Sequence, residues 1–352
     1  MSKRFLDQSW KNKMRIKLDV NNMFSDKLGE KHGFTKEEVD SYQKKVEEAH
    51  KNIKKAELGF MELPYKQDEI VQEISNMADE YKGKYDNFVV LGIGGSALGN
   101  IALQTALNDP YYNYKDGSCS EYPRLFVPDN VDPVRFKSLM EMLDLEKTIF
   151  NVISKSGGTA ETMSQYLIAR QAVVDKVGEE NVKDHFIATT SHDSGYLIEI
   201  SRREGYKTFY IPENVGGRFS VLTPVGLVSA AFCGIDIEEL LAGAAYMDDI
   251  CKKDQLWENP AYLNGVLQYM AYEKGKPLSV MMPYVHSLKD VADWYRQLWA
   301  ESLGKEVDRE GKPVNVGPTP IKALGATDQH SQVQLYMEGP YDKVITFLEV
   351  EE

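Results

Sequence analysis

Cysteine, histidine, excess positive charge and long apolar runs are all scarce in this chain. The three cysteines, Cys119, Cys233 and Cys251, show no Cys-x-x-Cys spacing, so neither a zinc site nor a disulfide framework is signalled. A reducing, cytoplasmic setting fits that usage. The six histidines, His32, His50, His185, His192, His286 and His330, make no His-x-x-x-His pattern, and no metal is assigned to them. Lys and Arg number 41 against 54 Asp and Glu, a formal charge of −13. That balance argues against a broad nucleic-acid surface or an anionic-membrane surface, so neither partner is expected, although a local basic pocket remains compatible with it. The longest hydrophobic stretches, such as Val225–Phe232, fall far short of the roughly 20 residues of a bilayer span. The amino-terminal segment MSKRFLDQSWKNKM carries no apolar signal core, and the chain is expected to be soluble.

What is present has globular texture. Hydrophobic residues at 42% and charged residues at 27% exclude wholesale disorder and low-complexity architecture. At about 150 residues per domain, a chain of 352 residues suggests two compact units. Thr35-Lys-Glu-Glu38 is a capping-box pattern that opens a charged, exposed helix, so residues 1–57 read as a helical appendage. From residue 88 the apolar runs NFVVLGI, RLFVPD, TIFNVIS and HFIATTS each precede a helical period. Short apolar runs spaced by helices are the mark of βαβ units feeding a parallel sheet, which makes residues 58–211 an α/β domain. The Gly- and Pro-rich stretch around Pro212–Val225 interrupts this alternation, and the domain boundary is placed there. Residues 212–352 form a second α/β block: three helices, the strand LSVMMPY, a helix reaching Lys305, a Gly/Pro-rich loop, a helical segment near His330 and a buried-type strand KVITFLEV.

Five short motifs carry chemistry. Gly92-Ile-Gly94-Gly95-Ser96-Ala97 joins an apolar strand to a helix, where small residues let an anion reach unpaired N–H groups. It also satisfies the degenerate dinucleotide fingerprint, but Asp129, the acidic residue closing the next strand, lies about 35 residues beyond Gly94 where the fingerprint expects roughly 20. Ser154-Lys155-Ser156-Gly157-Gly158-Thr159 gathers hydroxyls, bared N–H groups and a helix start in one loop, which suits the acceptor oxygens of a phosphate monoester. It lacks the order of a P-loop, so nucleotide hydrolysis is disfavoured. Gly216-Gly217-Arg218 offers a guanidinium for a developing oxyanion, although such an arginine is more often a structural ion-pair partner. Gln297 and Glu301 end an amphipathic helix, and a carboxylate there is ordinarily solvated unless the fold carries it into a pocket, where it can serve as a base. Asp328-Gln329-His330 starts another helix; His330 is the side chain suited to proton shuttling near neutral pH.

Taken in order, GIGGSALG, SKSGGTAET, ENVGGRFSVLTPVGL, AESLGKEV and ATDQHSQVQLYMEG resemble the glucose-6-phosphate isomerase family of bacterial type, from about residue 55 to the end. The resemblance implies an α/β fold of two sugar-isomerase (SIS)-type domains, each a parallel β-sheet flanked by helices, assembled as a homodimer. It implies reversible conversion of glucose 6-phosphate and fructose 6-phosphate, a step of glycolysis and gluconeogenesis, with no metal or organic cofactor. Gly95, Ser96, Ser154, Lys155, Ser156, Gly157, Gly158 and Thr159 correspond to the family's phosphate and sugar contacts, and Gln297 to a sugar contact. Glu301 takes the place of the base that moves a proton between C1 and C2 through a cis-enediolate. Arg218 would stabilise that intermediate, and His330 would help open the ring, reaching the site from the neighbouring subunit. Family members continue for about another hundred residues to a glycine-lysine signature, which nothing here matches. The expectation is therefore a truncated or fragmentary isomerase, with apolar surface exposed around KVITFLEV and Leu335 and its activity in question. The other readings are a non-catalytic sugar-phosphate sensor, which would not need Glu301, Arg218 and His330 together, and a dinucleotide-dependent dehydrogenase.

Overall fold

Thr35 accepts a hydrogen bond from the Glu38 amide while Glu38 accepts one from the Thr35 amide, the reciprocal cap the sequence predicts. The helix it opens is short, Lys36–Asp40, and a second, Gln43–Lys55, follows after a break at Ser41–Tyr42. The computed structural model describes residues 4–114 and 121–351, so Cys119 lies outside the described residues. The chain divides into two compact units. One comprises Lys66–Ile237 with His286–Leu298; the other comprises the chain up to Tyr65, Glu238–Val285 and everything from Trp299 onwards.

The first unit is built on five parallel strands: β1 (Asn87–Leu91), β2 (Arg124–Phe126), β3 (Thr148–Ile153), β4 (Phe186–Thr190) and β5 (Lys207–Tyr210). They lie in the order β2-β1-β3-β4-β5. Every residue of β1, β3 and β4 is buried, which is why these strands read as continuous apolar runs and not as alternating ones. Val89 and Leu91 of β1 join Phe136, Tyr166 and Leu197 in one core, beneath the helices Pro133–Met142, Ala160–Val177 and Tyr196–Glu204. Phe88, pointing the opposite way as the strand period requires, meets Phe232 with ring centroids 4.8 Å apart. Strand β5 was not marked by an apolar run, because KTFY is an edge strand with one buried residue.

The division departs from a boundary at residue 212, and the reason is the helix Pro224–Phe232. Thr223 caps it, Pro224 starts it, and all nine of its residues are buried. A helix apolar on every side must be covered on every side, and it packs over β1 and against the helices Asp68–Tyr81 and Gly95–Leu107. Residues 212–237 therefore belong with the first sheet.

The second unit holds a three-stranded parallel sheet of β6 (Leu278–Pro283), β9 (Thr319–Lys322) and β10 (Lys343–Leu348), in the order β10-β6-β9. The segment expected to be a loop contains a hairpin of β7 (Lys305–Val307) and β8 (Pro313–Val316) as well as β9. The amino-terminal helices are no appendage here: Phe34, Val39 and Val46 share a core with Leu263, Leu267, Met270 and Val344. His50 is satisfied by the Tyr262 hydroxyl at 2.7 Å. The expected buried-type strand KVITFL is instead an edge strand in which Val344 alone is buried; Phe347 and Leu335 are exposed. Cys233 and Cys251 are both free thiols, and burial pushes that of Cys233 up to about 12. No helix among the described residues is long and apolar enough to cross a membrane.

Candidate active site

The strand order places the topological switch between β1 and β3, because the chain leaves β1 in one direction and returns past it to the other side. Crevices at the carboxyl ends of strands flanking such a point are where doubly wound sheets bind ligands. The loops that follow these two strands are the Gly92–Ser96 and Ser154–Thr159 segments singled out from sequence. They line one cleft of about 450 Å³, together with Ser191, Ser194 and Gly217.

Each loop leads into a helix whose cap residue, Gly94 or Thr159, makes no side-chain cap hydrogen bond. At the first helix the Ser96 and Ala97 amides donate to the Ile93 and Gly94 carbonyls at 3.1 and 3.0 Å, so the first-turn amides offered to an anion are those that start the helix Ala160–Val177. Within the second loop the Ser154 hydroxyl accepts from the Gly157 amide at 3.0 Å and lies 3.1 Å from the Thr159 hydroxyl, while Ser156 accepts from the Gly158 amide at 3.2 Å. The loop is fixed from below by β4 and its continuation. Thr190 donates to the Ser154 carbonyl and Ser191 to the Lys155 carbonyl, each at 2.7 Å. Gly157 sits at φ 66°, and a Cβ there would lie 2.2 Å from the Leu197 nitrogen.

The glycine of the first loop serves packing. A Cβ on Gly95 would lie 2.2 Å from the Gly217 carbonyl oxygen and 2.8 Å from the Arg218 nitrogen, so its small size is what brings the Arg218 segment against the loop. Arg218 is half-buried and its guanidinium lies over the Phe219 ring at 5.0 Å. Gln297 belongs to the same unit, and its side-chain nitrogen comes within 3.1 Å of where a Cβ on Gly94 would stand. Asp129, the would-be ribose ligand of the dinucleotide reading, accepts a hydrogen bond from Arg135 at 2.7 Å.

The structure thus brings Gly95, Ser96, Ser154, Lys155, Ser156 and Thr159 to one cleft, with Gly157 and Gly158 shaping its loop. Glu301 and His330 fall in the other unit. Glu301 is exposed, one helical turn beyond Gln297 on the helix Lys289–Leu303. His330 is exposed and follows the turn Thr327–Gln329, which Asp328 holds by accepting from the Leu324 amide at 2.8 Å and from the Ser331 hydroxyl. The Ser331 hydrogen bond, with help from Leu324 and Gln332 and against the opposing effect of burial, keeps the Asp328 carboxyl below its ordinary value. Sequence reasoning missed Thr162, Ser191 and Ser194 in the cleft lining. Thr162 Oγ1 is buried with no hydrogen-bond partner among the described residues, and a buried hydroxyl left open at a cleft wall signals a place for a polar ligand. Thr162 is itself the last residue of SKSGGTAET, which was the available clue. Among the described residues no cluster of three or more His, Cys, Asp or Glu is placed to hold a metal ion.

Sheet and cleft together define an α/β protein of doubly wound type with a hydroxyl-lined cleft at its switch point. The family model described as phosphoglucose isomerase matches residues 66–348. A glucose-6-phosphate isomerase of Carboxydothermus hydrogenoformans is 51% identical over 342 residues, 96% of this chain and 73% of that protein. Another, of Rubrobacter xylanophilus, is 40% identical over 321 residues, 91% and 72% of the two chains. Among solved structures, a hypothetical protein of Thermus thermophilus aligns with a TM-score of 0.79 at 35% identity over 90% of this chain and 75% of that one. A glucose-6-phosphate isomerase of Chlamydia trachomatis aligns with a TM-score of 0.77 at 25% identity over 89% and 66%. The chain belongs to the phosphoglucose isomerase family.

Proposed function

We propose that the chain interconverts glucose 6-phosphate and fructose 6-phosphate by moving a proton between C2 and C1. Family membership supports the reaction, and the observation that carries it to this fold is the hydroxyl-lined cleft at the switch point. A phosphate monoester presents three acceptor oxygens, and the hydroxyls of Ser154, Ser156, Thr159 and Ser96 with the first-turn amides of the helix Ala160–Val177 are the donors assigned to it. Gln297 is assigned to the sugar.

His330, supplied across a homodimer interface, opens the ring by proton transfer at the ring oxygen. Glu301 removes the C2 proton of the open aldose, the C1 carbonyl oxygen takes up the negative charge, and a cis-enediolate forms. Arg218 stabilises that charge without giving up its own proton. Returning the proton to C1, with transfer of the O2 proton to O1, completes the ketose. Every step is proton transfer on the substrate's own carbons and oxygens, so the scheme calls on no cofactor. The cytoplasm, where the sugar phosphate resides, is the setting proposed.

The test is conversion of fructose 6-phosphate by this 352-residue chain, with Glu301→Gln as control. Loss of the base should lower kcat by about 10²–10⁴-fold while inhibition by inorganic phosphate persists. Full activity in the variant refutes the base assignment. Saturable sugar-phosphate binding without turnover in the unsubstituted chain points to a binding module in its place.

A further inference from the structure

Lys155 stands in the middle of the phosphate-type loop, and a direct ion pair with the ligand is the obvious role for it. Its hydrogen bonds point elsewhere. Nζ donates to the carbonyl oxygens of Pro212 at 3.4 Å, Glu213 at 2.7 Å and Val215 at 3.1 Å. An ammonium has three N–H bonds, and all three are engaged. The carbonyls belong to the segment that leads into Gly216-Gly217-Arg218, whose Gly217 carbonyl in turn lies against Gly95. Three carbonyl dipoles converging on one point repel each other unless a cation sits there. The other end of the lysine is fixed too, since its own carbonyl accepts from Ser191 at 2.7 Å.

We infer that Lys155 is a positioning residue, a strap that ties the loop seating the phosphate to the segment carrying Arg218. Seating the phosphate then steadies the arginine that meets the developing negative charge, so binding at one end of the substrate supports chemistry at the other. The lysine's partners are neutral carbonyls, so its charge also adds a positive field to the cleft of a chain of net charge −13. This inference rests on the isomerase reading for its catalytic consequence, although the strap itself is independent of it.

Lys155→Met keeps the aliphatic stem and removes the ammonium. The strap predicts that kcat falls by about tenfold or more. KM for fructose 6-phosphate and the inhibition constant of inorganic phosphate should stay within about threefold of the unsubstituted values. A rise of both constants with kcat retained makes the ammonium a phosphate ligand and overturns the proposal; unchanged kinetics overturn it as well. Amide hydrogen exchange gives a readout that needs no turnover. Inorganic phosphate should slow exchange across residues 212–218 in the unsubstituted chain, and Lys155→Met should speed it by about tenfold and make it insensitive to phosphate. If the unsubstituted chain fails to isomerise, the proposed function falls while the exchange result still decides the strap. If the variant does not fold, phosphate titration of the unsubstituted chain decides alone, and exchange at residues 212–218 that ignores phosphate ends the proposal.

Discussion

Thr162 and Gly95 show how single residues set the cleft. The Thr162 hydroxyl is buried without a partner, a state that costs free energy in the unliganded protein unless a ligand answers it. Thr162→Val keeps the shape and removes the orphaned group. Thermal unfolding should show the variant unchanged or more stable by about 1 kcal/mol, whereas inhibition by inorganic phosphate should weaken by about tenfold. A variant that loses stability and keeps phosphate affinity would show that the hydroxyl serves the fold. Gly95 is the opposite case, since a Cβ there meets backbone and no movable side chain. Gly95→Ala should cost about 1–3 kcal/mol of stability and lower activity beyond that, by pushing the Arg218 segment off the loop; melting temperature and kcat on the same preparation check both. The loop SKSGGT was legible because its hydroxyls and glycines are contiguous in sequence. Thr162, the third residue of the following helix, closes the motif SKSGGTAET, whereas Ser191 and Ser194 follow another strand, so only the fold brings those two in.

Elements were legible where burial imposes a period. The strands β1, β3 and β4 and their crossover helices fall where the apolar runs put them, whereas β5, β7 and β8 escaped because their residues are mostly exposed and carry no apolar signature. What ties elements together was less legible, because it depends on long side chains that meet across helices. Arg170 on the helix Ala160–Val177 donates to Glu204 on the helix Tyr196–Glu204 at 2.5 and 3.2 Å, and also pairs with Glu179. Burial pushes the Glu204 carboxyl up, but hydrogen bonds and charge from Arg170 and Arg203 prevail and hold it below its ordinary 4.5. A lowered folded value means that the pair stabilises the protein above about pH 4.5 and loses that contribution as pH falls through the folded value. Glu204→Gln should therefore cost about 2 kcal/mol near pH 7, a discount on a fully buried pair because both side chains keep some solvent contact. The gap between variant and unsubstituted protein should close at a second, acid pH below the folded value. Urea titrations at the two pH values measure it, and a gap independent of pH would mean that packing and not charge links the helices.

At the scale of the whole molecule, the chain weaves between its two units in place of filling one and then the other. That is why a boundary read from composition at residue 212 misplaced the helix Pro224–Phe232, and why the amino-terminal helices looked detached when their partners lie over two hundred residues away in sequence. Sequence order cannot reveal such returns, since each segment is locally ordinary. The same limit applies to the proposed division of labour between Glu301 and His330, which lie in one unit but are assigned to different subunits of a homodimer. Symmetry makes that assignment testable. Glu301→Gln and His330→Asn should each be inactive alone. Mixed and allowed to exchange subunits, they form hybrids in which one site receives Glu301 from the second variant and His330 from the first, both unsubstituted, while the other site carries both substitutions. Random pairing makes about half the dimers hybrid with one sound site of two, so about a quarter of the unsubstituted activity should return. If both residues served their own subunit's site, no hybrid would contain a sound site and mixing would restore nothing.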